Sequence, residues 1–118
     1  MPRKPNTINY IEFPTAGPQG IAAAKAFYGA AFGWSFKDWG ETYIDTQDSG
    51  VASGFDGESA QGAQSPLVVI YAAGLEGAQA KIVAAGGVVT RDIFSFPGGR
   101  RFHFRDPAGN ELAVWSDR

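Results

Sequence analysis

The run from Arg101 to Trp115, Arg-Phe-His-Phe-Arg-Asp-Pro-Ala-Gly-Asn-Glu-Leu-Ala-Val-Trp, constrains this chain more than any other stretch of it. Two alternating segments flank a tight turn of Asp106, Pro107, Ala108, Gly109 and Asn110, the pattern of a β-hairpin. If that turn sets Arg105 opposite Glu111, antiparallel pairing puts His103 opposite Ala113 and Arg101 opposite Trp115. One face then carries Arg101, His103, Arg105, Glu111, Ala113 and Trp115, and the other carries Phe102, Phe104, Leu112 and Val114. The second set is a core face. The first combines guanidinium, imidazole and indole with the small Ala113, a mixture suited to lining a cavity. A slip of one residue would exchange the two sets.

Alternation recurs over residues 7–13, where Ile11 and Phe13 share one face and Ile8, Tyr10 and Glu12 the other. Residues 14–20 read as a loop. Residues 21–32 read as a helix, with Ile21, Ala24, Tyr28 and Ala31 at helical spacing and Gly33 as a C-terminal stop. Strands are expected at 34–39, 42–46 and 51–55. Residues 56–65 are small and polar, the composition of a flexible linker.

The pattern then restarts. Residues 67–72 form a buried-type strand, and 75–85 a helix with Leu75, Ala78, Ile82 and Ala85 on one stripe and Gly86-Gly87 as terminator. Strands follow at 88–94, 101–105 and 111–116, the first two joined around Pro97-Gly98-Gly99. A half with one helix covers only one face of its strands, so two halves are expected to curl together around a shared concavity. The predicted fold is α+β: two paired βαβββ modules forming a curled, mostly antiparallel sheet around a concave pocket. One domain spans 1–118, with module one at about 7–56, a linker at about 57–65 and module two at about 66–118. Strand alternation places Tyr10, Glu12, Val69, Tyr71, Arg101, His103 and Trp115 toward the concavity.

Composition narrows the function classes. A chain of 118 residues buries roughly two-thirds of its unfolded surface. Its 14% aromatic content leaves rings available for a pocket or an interface as well as for the core. The net charge of −2 provides no electrostatic footprint for nucleic acid. Cysteine is absent, which excludes disulfides, thiolate metal sites and a cysteine nucleophile. No stretch reaches the roughly 18–20 apolar residues of a membrane helix, and the cytoplasm is the expected compartment. Phosphate-loop, dinucleotide-fingerprint and nucleophile-elbow motifs do not occur, and Gly98-Gly99-Arg100-Arg101 reads as a hairpin or lid because no helix follows it.

The turn Asp106-Pro107-Ala108-Gly109-Asn110, preceded by Phe104 and followed by an apolar strand, resembles the closing hairpin of the glyoxalase, bleomycin-resistance and extradiol-dioxygenase superfamily, the vicinal oxygen chelate superfamily. Tyr10-Ile11-Glu12-Phe13-Pro14, the helix ending in Ala26-Phe27-Tyr28, Phe32-Gly33-Trp34, and Gly86-Gly87 extend the likeness over nearly the whole chain. The resemblance implies the paired βαβββ arrangement. In the metal enzymes of that superfamily one ligand comes from the first strand of each half and carboxylates from the last strands. Carried over, these positions fall on Tyr10, Leu67 and Ala113, none of them an ordinary divalent-metal ligand. No metal or other cofactor is therefore expected. A relocated set of His103, Glu12 and Glu111 is conceivable, although Arg105 would pair with Glu111 and repel a cation.

The site candidates are Tyr10, Glu12, Tyr71, Arg101, His103 and Trp115. His103 is either a strand residue satisfied by a neighbour or water, or a pocket residue that contacts ligand or shuttles a proton. Tyr10 is a core tyrosine or a ligand-facing residue; Glu12 is a solvent-exposed carboxylate at a pocket mouth or a base; Trp115 is a pocket wall. Trp34 and Trp39 are packing or dimer contacts. The leading functional expectation is a bleomycin-resistance-like homodimer binding a small anionic or aromatic molecule without metal. The alternative is a lyase, isomerase or dioxygenase-type enzyme using relocated metal ligands, or His103 with Glu12 as acid and base.

Overall fold

The computed structural model describes residues 3–58 and 65–118. Its elements run β1 (Thr7–Pro14), α1 (Gly17–Phe32), β2 (Phe36–Asp38), β3 (Tyr43–Thr46), β4 (Ser53–Asp56), β5 (Leu67–Tyr71), α2 (Leu75–Ala84), β6 (Val88–Phe96), β7 (Gly99–Arg105) and β8 (Glu111–Ser116). The fold is α+β, and strand, helix and three strands occur twice in succession, as expected. Residues 59–64 of the expected linker lie outside the described residues.

The chain forms two compact units, Tyr10–Leu67 and a second of Val68–Arg118 together with the residues up to Asn9. In the N-terminal unit the strand order is β2-β3-β4-β1, with β4 parallel to β1 and the other pairs antiparallel. In the C-terminal unit the order is β5-β8-β7-β6, again with one parallel pair, β5 and β8. The two units thus repeat one topology. The beginning of the chain is tied to the second unit by the Asn6 N–H, which donates to the Tyr71 carbonyl at 2.8 Å, and by an Arg3–Asp117 ion pair at 3.2 Å.

Helix α1 begins at Gly17, within the stretch expected to be loop. Pro18 stands in its first turn, where a missing N–H costs nothing because that group has no helical partner. The helix ends where expected, on Gly33, whose φ of 74° is left-handed and suits glycine. Strand β2 is shorter than the expected 34–39 because Trp34 folds back to stack on Tyr28, with centroids 5.0 Å apart and planes at 11°.

Each unit has its own core. Ile21, Ile44 and Phe55, flanked by Phe13, Ala24, Tyr28 and Phe36, fill the N-terminal one. Ala72, Leu75, Phe102, Phe104 and Val114 fill the C-terminal one, with Ala78, Ile82, Ile93 and Leu112 packed against them. The apolar stripe of α2 therefore lies on Phe102 and Phe104. The alternate residues of β7 and β8 face away from that helix.

Candidate functional site

The closing hairpin has the expected register: Arg105 opposes Glu111, His103 opposes Ala113 and Arg101 opposes Trp115. In the adjoining parallel pair, Val69 lies against Ala113 and Tyr71 against Trp115. Tyr71, Arg101, His103 and Trp115 are thereby brought together on the face of the C-terminal unit remote from α2.

Strand β6 adds side chains that sequence periodicity does not reveal. Its pairing with β7 shifts register twice, between Val89 and Arg91 and again between Arg91 and Phe94. Each extra residue reverses the alternation. Val89 consequently lies opposite Phe104 and Ile93 packs against the core, whereas Arg91 comes opposite His103 and Phe94 opposite Arg101. The Arg91 guanidinium sits 3.7 Å from the Phe94 ring centre, and that of Arg101 lies 5.4 Å from the same ring and 5.9 Å from Phe96. The His103 imidazole is 5.8 Å from Phe94, centre to centre, and its Nδ1 is 3.9 Å from the Glu111 carboxylate. Glu111 also accepts a hydrogen bond from the Thr90 hydroxyl at 2.9 Å.

Trp115 is held edge-on to Tyr71 at 5.3 Å, and its indole N–H donates to the Asn9 Oδ1 at 3.0 Å. Arg3 covers the indole at 4.8 Å while pairing with Asp117. The Tyr71 hydroxyl donates to Asp117 at 2.9 Å. That bond raises the phenol above its usual range and holds the Asp117 carboxyl below its own. These contacts anchor the Trp115 ring.

Tyr10 and Glu12 belong to the N-terminal unit, where they join Tyr43 and Asp45. Tyr10 donates to Asp45 at 2.6 Å, Tyr43 donates to Glu12 at 2.9 Å, and the two hydroxyls lie 2.8 Å apart. The Trp39 indole N–H donates to the other Asp45 oxygen at 2.8 Å. Burial, reinforced by the Asp45 and Glu12 carboxylates, pushes both phenols far above their ordinary range, so they remain protonated donors. Glu12, which the sequence allows as a solvent-exposed carboxylate at a pocket mouth or as a base, is only 5% exposed and accepts from the Tyr43 hydroxyl. Gly54 makes room for this arrangement: a methyl group there would strike the Tyr10 and Tyr43 hydroxyls. A glycine inside a strand pattern signals such close approach, and it was the one clue to Tyr43 and Asp45 in the sequence.

Residues 8–114 match the family model described as the Glyoxalase/Bleomycin resistance protein/Dioxygenase superfamily. The chain belongs to that superfamily. Among solved structures it is similar to one described as an NAD-dependent benzaldehyde dehydrogenase from Legionella pneumophila, with a TM-score of 0.73 and 12% identity over 92% of this chain and 97% of the other. It is also similar to a Mn(II)-bound glyoxalase from Novosphingobium aromaticivorans, with a TM-score of 0.64 and 20% identity over 97% of this chain and 40% of that one. A third is a methylmalonyl-CoA epimerase variant from Streptomyces coelicolor in complex with 2-nitronate-propionyl-CoA, with a TM-score of 0.60 and 16% identity over 96% and 98% of the two chains. At such identities the likeness establishes fold and not chemistry. No curated protein matches the chain in sequence.

The positions onto which the resemblance carries the superfamily's metal ligands hold Tyr10, Leu67 and Ala113. Tyr10 is a phenol kept protonated by burial and by its bond to Asp45, Leu67 is apolar, and Ala113 is a fully buried methyl group. Among the described residues no three His, Asp or Glu side chains gather at metal-binding spacing.

Proposed function

We propose that this superfamily member binds a small, planar, anionic molecule without the usual metal, on the face carrying Tyr71, Arg101, His103 and Trp115. The observation that carries this reading is the convergence of Arg101 and His103 on the Phe94 ring, on a face that β6 and β8 line with further aromatic residues. A guanidinium among rings offers a charge-assisted hydrogen bond where water is partly excluded, and the rings offer apolar area to a flat ligand. The donor set at Tyr10, Leu67 and Ala113 supports binding without metal.

The test pairs a ligand screen with metal analysis. Thermal shift across aromatic carboxylates should return stabilising ligands, and Arg101→Ala should weaken them roughly ten- to a hundredfold while the unliganded protein keeps its fold. Protein purified without chelator or affinity tag should carry no stoichiometric metal. Hits confined to cationic or aliphatic compounds, binding indifferent to Arg101→Ala, or one equivalent of zinc, nickel, manganese or iron would overturn the reading. A second reading, an acid-base lyase or isomerase, is favoured by the His103–Glu111 contact. Conversion of a bound compound that stops in His103→Gln would select it.

A further inference from the structure

Resting on that reading, we propose that Arg91 makes the site selective for ligands bearing two negative charges, either one phosphate monoester or two carboxylates on a planar ring. Regular alternation would send Arg91 to the side of Val89 and Ile93, against α2. The first register shift of β6 sends it instead to the side of His103, and the second brings Phe94 to that side opposite Arg101. Its guanidinium is stacked 3.7 Å over Phe94. Two guanidiniums and one imidazole thus meet around a single aromatic ring.

Asp92, the acidic residue of β6, is turned toward α2: its Oδ1 accepts from the Gln79 side chain at 3.0 Å and from the Ile93 N–H at 2.8 Å, which hold its carboxyl below the usual range. Glu111 approaches His103 from β8 at 3.9 Å. A singly charged ligand engages Arg101 alone. A doubly charged one also engages Arg91.

Calorimetric titration of the full chain with benzoate, phthalate and phenyl phosphate tests this. The unmodified protein should bind at least one dianion tenfold or more tighter than benzoate, and whether that is phthalate or phenyl phosphate separates the dicarboxylate from the phosphate. Arg91→Ala should abolish this preference while leaving benzoate affinity within about twofold; Arg101→Ala should weaken all three. Absence of a dianion preference, or an Arg91→Ala variant that loses benzoate and dianions equally, overturns the role of Arg91 and leaves the anion-binding reading standing. Failure of every probe to bind overturns both. Arg91 is exposed, and an unchanged thermal midpoint for unliganded Arg91→Ala separates lost binding from lost fold.

Discussion

Asp106 shows how one side chain closes the hairpin that carries Arg101 and His103. Its carboxylate accepts from the Asn110 N–H at 2.9 Å and from the Asn110 amide at 3.1 Å, and Gly109 takes the left-handed φ of 96° that the turn needs. Those bonds hold the Asp106 carboxyl below its ordinary value. The stability they contribute is therefore fully present above the ordinary aspartate range, about pH 4, and is lost as pH falls through the lower folded value. Asp106→Asn should accordingly be less stable than the parent at neutral pH, with the gap closing in acid. A gap in unfolding midpoint that stays constant from pH 7 to pH 3 would refute this. The residues of this turn were legible from order alone, because an Asp-Pro-x-Gly-Asn stretch satisfies its hydrogen bonds locally. Glu12 was not legible. Its burial depends on Tyr43, thirty-one positions away, and on the space above Gly54.

Among the elements, β6 and α2 set what the site contains. Helix α2 lays Leu75, Ala78 and Ile82 on Phe102 and Phe104, so the opposite face of β7 is left to Arg101 and His103. Phe102 is completely buried at the centre of that contact. Phe102→Ala should cost ~3–5 kcal/mol, lowering the urea midpoint at unchanged slope, since a cavity there cannot be refilled by its packed neighbours. A loss below about 1 kcal/mol would mean that the helix does not depend on this ring. Strand β6 departs from its sequence pattern for a different reason. A bulge is decided by which residue of the partner strand each residue meets, and the run Val-Val-Thr-Arg-Asp-Ile-Phe contains no glycine or proline to announce one. Helix α1 starts earlier than its apolar spacing suggests, because Gly17 and Pro18 suit a loop as well as a first helical turn.

For the molecule as a whole, the repeated βαβββ topology leaves β2 and β6 at the ends of their respective strand orders, and Phe27, Phe32 and Trp39 remain well exposed. Open strand edges and uncovered rings favour association with a second copy through a two-fold contact. We expect a homodimer: light scattering at micromolar concentration should give about twice the 12.5 kDa of one chain, and a mass of one chain would rule it out.

Periodicity, glycine stops and the Asp-Pro turn were enough to establish the α+β class, the duplicated order of elements, the core face of the closing hairpin and the opposition of Arg101 to Trp115. All of these follow from bonds between near neighbours or from one buried face per strand. Folding alone decided that Arg91 joins Arg101 around Phe94, that Arg3 covers Trp115, and that Glu12 lies beneath Tyr43. Those placements come from register shifts and from contacts between residues far apart in the chain, and local periodicity has no term for either.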